Sequence, residues 1–245
     1  MTGAPTFPGG VLAAGEGRRL RRDGYSVPKV MVPVAGVPLI EYVVGNFVAA
    51  GVTPISLLVS EEASDGARWV CTRFPGWDIR VLTKTTRSSL ESFQELAREA
   101  PTGPALISTV DAWCPVDDFA RFVASARRYP RDATVLAVTP FVADERPLWI
   151  TLDGARRVTR IDDSSGMVVT AGIYLVSEPA RRMALEHPGG RLRDFLRWIV
   201  ENGEPVYGLS IPVVVDVDRA EDVELAEALA ERLALDVRGR KGASS

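Results

Sequence analysis

The chain contains 245 residues, with 29 lysines and arginines against 32 aspartates and glutamates, which gives a formal net charge of −3. This balance argues against a generic nucleic-acid-binding protein, in which basic residues dominate. Hydrophobic residues make up 46% and charged residues 25%, as in globular proteins, so intrinsic disorder is excluded. No apolar run approaches the roughly 20 residues that cross a bilayer, and the first residues lack the pattern of a signal peptide. We therefore expect a cytoplasmic protein without a nucleic-acid or membrane partner.

Apolar runs rich in β-branched residues alternate with helical patterns along the first 140 residues. This alternation predicts βαβ units and a mostly parallel sheet. The predicted strands cover 10–14, 55–60, 80–83, 105–110 and 134–138. The predicted helices cover 38–50 and 64–74, and two more begin at Ser88 and Asp117.

The pattern changes near residue 141, where three strands follow one another without helices between them. They are predicted over 149–152, 158–161 and 168–176, and we expect a small β insertion near 141–176. A helix over 191–202, strands over 206–210 and 213–217, and a helix over 220–235 complete the chain. We expect one domain over 1–245, with flexible ends at 1–8 and 237–245.

The cysteines and the single histidine carry no recognisable site. Cys71 and Cys114 lack metal-ligand spacing and are too few for a disulfide framework, so we expect both to be reduced, buried and apolar. His187 lies in the loop after a helix with no oriented partner, so we expect a solvated side chain and not a general base.

The segment VLAAGEGRRL at 11–20 is a strand that opens into a glycine-rich, basic turn. A Walker A loop and a dinucleotide fingerprint both fail, because Glu16 follows Gly15 and Leu20 stands where a third glycine is needed. Small residues here expose backbone amides to a phosphate or base, and the arginines supply charge-assisted donors. A plain surface turn is the alternative.

The segment continues as VPKVMVPVAGVPLIEYVV, and VVVDVDRAEDVELAEAL follows at 213–229. With both segments, the chain resembles the nucleotidyltransferase family of GT-A-like fold, which includes sugar-1-phosphate nucleotidylyltransferases and small cytidylyltransferases. The resemblance is specific over 10–51. It implies an α/β fold, a three-layer sandwich around a mixed, mostly parallel central sheet, as in nucleotide-diphospho-sugar transferases.

The resemblance also implies roles for individual residues. Arg19 would hold the β and γ phosphates of a nucleoside triphosphate, and Lys29 would contact the α-phosphate, although an ordinary surface lysine is the alternative. A helix N-cap explains Ser88 as well as a nucleotide contact does. The residues implied to bind nucleotide are Leu12, Ala13, Ala14, Gly15, Gly17, Ser88 and Ser89.

The family's Mg²⁺ would be held by Asp111 and Asp216. Asp111 ends a predicted strand, and the carboxyl ends of parallel strands form the ligand crevice. Val110 precedes it where the family usually has glycine. Asp216 directly follows a strand, whereas Asp218 precedes an amphipathic helix with Glu221 three residues later. We therefore assign Asp216 to the metal and Asp218 to the helix cap.

Recognition of the acceptor depends on TAGIYLVS at 170–177, which resembles a strand of sugar nucleotidylyltransferases in which glycine admits the acceptor close to the backbone. Gly172 takes that role here. The Glu-Lys-Pro that often precedes the strand is missing, so either Arg160 or Arg157 would replace its lysine or the acceptor is not an ordinary hexose phosphate. Trp113, two residues past Asp111, is placed to form a wall of the acceptor pocket.

These features predict an Mg²⁺-dependent enzyme that joins a nucleoside triphosphate to a small phosphorylated acceptor, with a sugar 1-phosphate as first choice, and releases pyrophosphate. One alternative is a cytidylyltransferase acting on a polyol or amino-alcohol phosphate. Another is a catalytically silent relative that binds nucleotide. The sequence leaves open the nucleobase and whether the chain forms a homo-oligomer.

Overall fold

The structure is a computed structural model that describes residues 7–142 and 146–242. Two single-turn 3-10 helices cover Lys29–Met31 and Glu61–Ala63. The other elements follow in this order: β1 (Gly9–Ala13), α1 (Arg18–Arg22), β2 (Pro33–Val34), β3 (Val37–Pro38), α2 (Leu39–Ala49), β4 (Ile55–Val59), α3 (Ser64–Arg73), β5 (Ile79–Thr83), α4 (Ser89–Glu99), β6 (Ala105–Thr109), β7 (Ala112–Trp113), α5 (Val116–Ala126), β8 (Thr134–Thr139), β9 (Trp149–Leu152), β10 (Val158–Asp162), β11 (Val168–Val176), α6 (Glu178–Glu186), α7 (Leu192–Glu201), β12 (Val206–Ser210), β13 (Val215–Asp216) and α8 (Ala220–Gly242).

Nine strands form the central sheet, in the order β10-β9-β11-β6-β1-β4-β5, with β8 beside β11 and β12 beside β8. β1 pairs in parallel with β4 and β6, and β4 pairs in parallel with β5. β11 is antiparallel to its neighbours β6, β8 and β9. The predicted mixed, mostly parallel sheet is confirmed. The strands that the sequence assigns to an insertion belong to this same sheet.

Helices cover both faces of the sheet, which makes the predicted three layers. One buried cluster joins the sheet to α2, α3 and α5, and a second joins it to α4, α6 and α7. Side chains of a strand alternate between the two faces, and in β1 Val11 and Ala13 enter the first cluster while Leu12 enters the second. A strand buried on both faces needs an uninterrupted apolar run, which is what the sequence shows at β1.

The pairing of β1 with β6 sets the position of the site. Because the two strands are parallel and Leu12 pairs with Thr109, the loop after β1 and Asp111 after β6 lie at the same edge of the sheet. β7 pairs with β13, which places Asp216 opposite Ala112. The two aspartates that the sequence assigns to a metal therefore lie on neighbouring segments.

Several predicted boundaries change. α5 begins at Val116 after the N-cap Pro115, so Asp117 lies in the first turn and does not cap the helix. β13 covers only two of the residues predicted over 213–217. Cys71 is exposed and only Cys114 is buried, because α3 covers the sheet with another face.

The ends that the sequence predicts to be flexible lie partly within the described residues, and their flexibility stays a prediction. Phe7 O accepts a hydrogen bond from Thr53 N, and Pro8 O accepts one from Leu106 N. Helix α8 continues through residues 237–242, while 1–6 and 243–245 lie outside the described residues. Within the described ranges, no helix has the length and apolar character that crossing a bilayer requires.

Candidate active site

Residues 14–17 form a loop between β1 and α1. Gly17 is the N-cap of α1 with a φ of +61°, and a Cβ there would lie 2.7 Å from the Cβ of Lys29. Glycine is needed at this position because L-residues rarely adopt that backbone conformation and because Lys29 packs so closely. At Gly15, nothing lies within 4 Å of the place a Cβ would take. The backbone of the loop is therefore open to the space beside it.

This loop forms one wall of a cavity of about 500 Å³, which we term the Gly-loop cavity. Its lining residues are Leu12, Ala14, Gly15, Glu16, Gly17, Arg18, Lys29, Thr86, Arg87, Ser88, Ser89, Ser92, Thr109, Val110 and Asp111. They include all the predicted nucleotide-binding residues except Ala13. The side chain of Ala13 points to the opposite face of β1 and is fully buried in the core.

A second cavity of about 200 Å³ adjoins the first, and we term it the Gly172 cavity. Its lining residues are Ser89, Thr109, Asp111, Ala112, Thr139, Phe141, Pro147, Leu148, Val169, Thr170, Ala171, Gly172, Tyr174, Leu192, Arg193, Val214 and Asp216. Ser89, Thr109 and Asp111 line both cavities. The two cavities therefore meet at the carboxyl end of β6.

A cluster of opposite charges lies where the cavities meet. Lys29 Nζ donates to Asp111 Oδ2 at 2.5 Å and also to Asp218 Oδ1. The other oxygen of that carboxylate, Asp218 Oδ2, accepts from Arg19 Nη1 at 2.9 Å. Lys29 is only 6% exposed, so it is not the surface lysine that the sequence left as the alternative. The two predicted phosphate-binding cations thus share one carboxylate.

Electrostatics keep this cluster ionised. Burial opposes the charged form of Lys29, but the three aspartates around it outweigh that effect and raise the pKa of Lys29 above its ordinary value. Burial also opposes ionisation of Asp111, yet the Lys29 ammonium and the Thr109 hydroxyl lower the pKa of Asp111. Both groups therefore carry their charges at neutral pH.

The structure corrects the role given to Asp218. At the start of α8, Asp222 Oδ2 accepts hydrogen bonds from Asp218 N at 3.0 Å and Arg219 N at 2.8 Å, and Asp23 Oδ2 accepts from Ala220 N at 3.0 Å. These two carboxylates satisfy the amides at the beginning of the helix. The prediction that Asp218 caps it is wrong, because its carboxylate points to Lys29.

Asp216 lies across from Asp111. Val217 N donates to Asp111 O at 3.0 Å, and both aspartates line the Gly172 cavity. The described residues contain no group of three or more histidine, cysteine or acidic side chains arranged to hold a metal ion. Two carboxylates nevertheless suit Mg²⁺, which is commonly bound by one or two carboxylates together with substrate phosphates.

The serines before α4 have structural roles as well. Ser88 Oγ accepts from Glu91 N at 3.2 Å and is the N-cap of α4. Ser89 Oγ accepts from Leu192 N at 2.9 Å, which ties α4 to the first residue of α7. Both line the Gly-loop cavity, so the cap interpretation of Ser88 is confirmed and its predicted contact with nucleotide stays a prediction.

The structure places only one of the two residues predicted to contact the acceptor, Gly172 and Trp113, at a cavity. Gly172 lines the second cavity with a φ of +69°, and a Cβ there would lie 2.6 Å from Thr109 Oγ1. Trp113 is only 2% exposed and packs among Leu20 and the residues around α8. The prediction that it forms a wall of the acceptor pocket is wrong, because successive residues of a strand point to opposite sides and it is Ala112 that faces the cavity.

The arginines predicted to replace the missing lysine do not reach this cavity in the described part of the chain. Arg157 Nη2 donates to Gly203 O at 3.0 Å, and Arg160 Nη2 donates to Ser165 Oγ at 3.1 Å. Arg193, near the start of α7, lines the cavity instead. Helical periodicity predicts α7 but not which end of the sheet the helix approaches, so no signal in the sequence singled out Arg193.

Comparison with known proteins supports the resemblance. Residues 9–171 match the MobA-like NTP transferase domain. The chain belongs to this family. It is a nucleotidyltransferase, and the matched range holds the Gly-rich loop, Lys29 and Asp111. Asp216 and Asp218 lie outside the matched range.

Individual relatives of this nucleotidyltransferase are distant. It is 34% identical over 90 residues to the bifunctional protein GlmU of Rhizobium johnstonii, and the matched segment spans 37% of this chain but only 19% of GlmU. Its fold is similar to that of the inositol-1-phosphate CTP transferase from T. maritima, with a TM-score of 0.79, 20% identity, and coverage of 92% of this chain and 96% of the other.

Two further solved structures share the fold. A putative glucose-1-phosphate thymidylyltransferase from Bacillus anthracis has a TM-score of 0.77 at 16% identity, over 92% of this chain and 95% of the other. An apo UDP-glucose pyrophosphorylase has a TM-score of 0.78 at 13% identity, over 94% and 100%. The fold class predicted from the sequence is therefore confirmed.

The single histidine of this nucleotidyltransferase has a structural environment. The His187 ring packs edge-on against Phe195 and Trp198, with centroids 5.6 and 5.2 Å away, and its Nδ1 lies 3.1 Å from Gly189 O. It is outside the lining of both cavities. The expected solvated ring is half-buried, and the prediction that it is not a general base stays a prediction.

Proposed function

We propose that this nucleotidyltransferase joins a nucleoside triphosphate to a small phosphorylated acceptor, with a sugar 1-phosphate as first choice, and that the reaction requires Mg²⁺ and releases pyrophosphate. The observation that carries the proposal is the pair of cavities that meet at Asp111. A transfer between two substrates needs two adjoining sites that bring the reacting atoms to one point. The Gly-loop cavity provides one site and the Gly172 cavity the other.

The Gly-loop cavity has the chemistry of a triphosphate site. Its loop presents open backbone at Gly15, and Arg18, Lys29 and Arg87 line it with positive charge. Backbone amides and guanidinium groups both donate to phosphate oxygens. Arg19 is paired to Asp218 beside this cavity, and a triphosphate would compete with that carboxylate for Arg19. The larger cavity therefore takes the nucleotide.

The balance of charges explains why a metal is needed. Two cations, Arg19 and Lys29, face three aspartates in the cluster, so carboxylates outnumber cations at the point where the cavities meet. Asp111 and Asp216 would hold Mg²⁺, as the family resemblance implies, and the bound ion would neutralise charge on the attacked phosphate. The Lys29 ammonium bridges Asp111 and Asp218, and this contact supports the proposal that the cluster binds a cation.

The reaction then needs no covalent intermediate on the protein. An oxygen of the acceptor phosphate attacks the α-phosphorus, and the bond from that phosphorus to the oxygen bridging to the β-phosphate breaks, so that pyrophosphate leaves. Cys114 is a poor nucleophile because burial raises the pKa of its thiol to about 12. The contribution of Lys29 is electrostatic: it is held in place before the reaction begins and stabilises the charge that develops around the α-phosphorus.

A second acceptor class has specific support. The structural relative from T. maritima is described as an inositol-1-phosphate CTP transferase, and inositol is a polyol. A cytidylyltransferase that acts on a polyol phosphate therefore remains the alternative to one that acts on a sugar 1-phosphate. Both alternatives use the same two cavities and differ only in what fills the Gly172 cavity.

Release of pyrophosphate tests the proposal. Each of ATP, CTP, GTP, UTP and dTTP would be mixed with glucose 1-phosphate, myo-inositol 1-phosphate or ethanolamine phosphate, with Mg²⁺ or with EDTA, and the nucleotidyl product identified by mass. We expect one combination to release pyrophosphate only with Mg²⁺, and Asp111→Asn to abolish that release. Binding of a triphosphate without turnover in any combination would leave a nucleotide-binding relative and refute the proposal.

A further inference from the structure

The Gly172 cavity contains three charged side chains among its described lining residues. Two are the carboxylates Asp111 and Asp216, and the third is the guanidinium of Arg193. The remaining lining residues are small, apolar or hydroxyl-bearing. An acceptor that carries a phosphate dianion therefore meets repulsion from the two aspartates and finds one cation on the cavity wall outside the Lys29 cluster.

Arg193 is held at this wall from several sides. Its Nη2 donates to Arg146 O at 3.2 Å, its Nη1 lies 3.6 Å from Asp163 Oδ1, and its side chain is 29% exposed. The first turn of α7, which carries it, is fixed by the bond from Leu192 N to Ser89 Oγ at 2.9 Å. Ser89 lines both cavities, so the position of Arg193 is tied to the point where the substrates meet.

Arg193 and the two aspartates line the same cavity, and so does Tyr174, which is 6% exposed. Burial raises the pKa of Tyr174, the hydrogen bond with Thr170 lowers it, the charges of Asp216 and Asp111 raise it, and the charge of Arg193 lowers it. The lining of the cavity therefore brings the three charged groups around a common space.

We propose that Arg193 binds the phosphate of the acceptor and thereby selects phosphorylated acceptors, an inference that rests on the function proposed above. Lys29 is shared between two carboxylates and faces the nucleotide, so it cannot neutralise the acceptor as well. The planar guanidinium of arginine donates two parallel hydrogen bonds to phosphate oxygens. Asp163 orients that group, which limits the freedom it loses when the acceptor binds.

Arg197 offers a matched control on the same helix. Its Nη2 donates to Asp163 Oδ2 at 2.7 Å and its Nε donates to Ile161 O at 3.2 Å, but it is not among the residues that line the Gly172 cavity. Arg193→Gln and Arg197→Gln remove the same charge and a contact with the same carboxylate. Only the first removes a cation from the cavity.

The test measures KM for the acceptor and KM for the triphosphate separately, using whichever of glucose 1-phosphate and myo-inositol 1-phosphate supports turnover by the unaltered protein. Arg193→Gln should raise the acceptor KM roughly ten- to a hundredfold, the effect of losing a charge-assisted hydrogen bond, with the triphosphate KM unchanged. Arg193→Lys should recover part of the loss. Arg197→Gln should leave both constants within about twofold. Calorimetric titration of the acceptor into protein with Mg²⁺ should show the same weakening without turnover.

Other outcomes overturn the inference. An unchanged acceptor KM in Arg193→Gln, an equal effect in Arg197→Gln, or a rise confined to the triphosphate KM would each show that Arg193 does not bind the acceptor. If the unaltered protein turns over neither phosphate, the proposed function fails in that form and the inference fails with it. Turnover by the unaltered protein therefore distinguishes failure of the proposed function from failure of the inference about Arg193.

Discussion

At the scale of single residues, the site depends on the buried ammonium group of Lys29, which two carboxylates share. Lys29 is 6% exposed, whereas Asp111 and Asp218 are 21% and 34% exposed at their side chains. Removing one partner of such a group leaves the others uncompensated, which costs more than the net strength of the pair. We therefore expect Lys29 to contribute to stability in addition to its proposed role in the reaction, although a loop position alone suggests that it contributes little to the fold.

The first prediction concerns this residue. Lys29→Ala should slow pyrophosphate release at least about a hundredfold, because a preorganised charge at the α-phosphate is lost. It should also lower the free energy of unfolding by about 1–3 kcal/mol, because two neighbouring carboxylates lose their shared donor. Urea denaturation and a steady-state assay would measure both effects.

Lys84 provides the control for this prediction. It pairs with Glu95 at 2.8 Å and its side chain is 49% exposed. Lys84→Ala should change the free energy of unfolding by less than about 0.5 kcal/mol and leave turnover unchanged, because exposed ion pairs contribute little. Equal behaviour of the two variants would remove Lys29 from the mechanism.

Among the elements, β11 does most to shape the acceptor side. It pairs with β6, β8 and β9, and its register with β8 shifts between Thr170 and Tyr174. Gly172 lies within that irregularity. The strand bends there and brings its backbone against Thr109 and Ala112, which closes one side of the Gly172 cavity.

The second prediction compares two glycines with nearly the same backbone conformation. Gly172 has a φ of +69° with Thr109 in contact range, and Gly51 has a φ of +68° with nothing within 4 Å of a Cβ. Gly51→Ala should cost about 1–2 kcal/mol from the backbone alone. Gly172→Ala should cost about 1–3 kcal/mol more, because its Cβ overlaps the end of β6, and should raise the acceptor KM. If thermal unfolding shows the same loss of stability in both variants, the contact of the new Cβ with Thr109 relaxes without cost.

The start of α8 gives the third prediction. Asp222 binds the amides there and Asp218 binds Arg19 and Lys29, so under the proposed function Asp222 should affect mainly stability and Asp218 mainly activity. Asp222→Ala should cost about 1 kcal/mol of stability, as for a lost cap, and keep turnover. Asp218→Ala should lower turnover more than tenfold, because Lys29 and Arg19 lose the carboxylate that positions them. The reverse pattern would restore Asp218 as the cap.

For the molecule as a whole, the sheet topology gathers charges from distant parts of the chain. Arg19 and Lys29 follow β1, Asp111 follows β6, and the aspartates near α8 come from the C-terminal part. Within the cluster three carboxylates face two cations, and under the proposed function we expect them to oppose binding of a triphosphate until a divalent cation joins it. Binding of nucleotide and metal should therefore be coupled.

The fourth prediction follows from that coupling. A triphosphate with Mg²⁺ at about a hundred times its dissociation constant should stabilise the fold by about 2.7 kcal/mol, seen as a rise in Tm. The same triphosphate with EDTA should give a much smaller rise, and EDTA without nucleotide should leave Tm unchanged. Asp216→Asn should lose the metal-dependent part. An equal rise in Tm with EDTA would contradict a metal site at these carboxylates.

Local patterns in the sequence were enough to predict most of the fold. Buried strands such as 105–110 and helices such as 38–50 show their periodicity within a dozen residues, and the structure confirms them within one or two residues at each end. The motif over 10–51 led to Lys29 and the Gly-rich loop because its residues are close in sequence. Asp111 could be placed at the ligand edge because it follows a strand of the parallel sheet, whereas Asp216 ends β13, which among the described strands pairs only with β7.

The partners of these residues could not be predicted in the same way. Lys29 contacts Asp218, which lies 189 positions later in the sequence. In β7 the side chain of Ala112 faces the cavity, and the side chain of Trp113 therefore lies in the core. Arg193 lines the Gly172 cavity because α7 packs beside α4. Such contacts depend on the order and packing of the sheet and its helices, and local periodicity carries no information about that order. The sequence by itself therefore determined most of the secondary structure and the Gly-rich loop with Lys29, and the tertiary structure decided which charged groups meet.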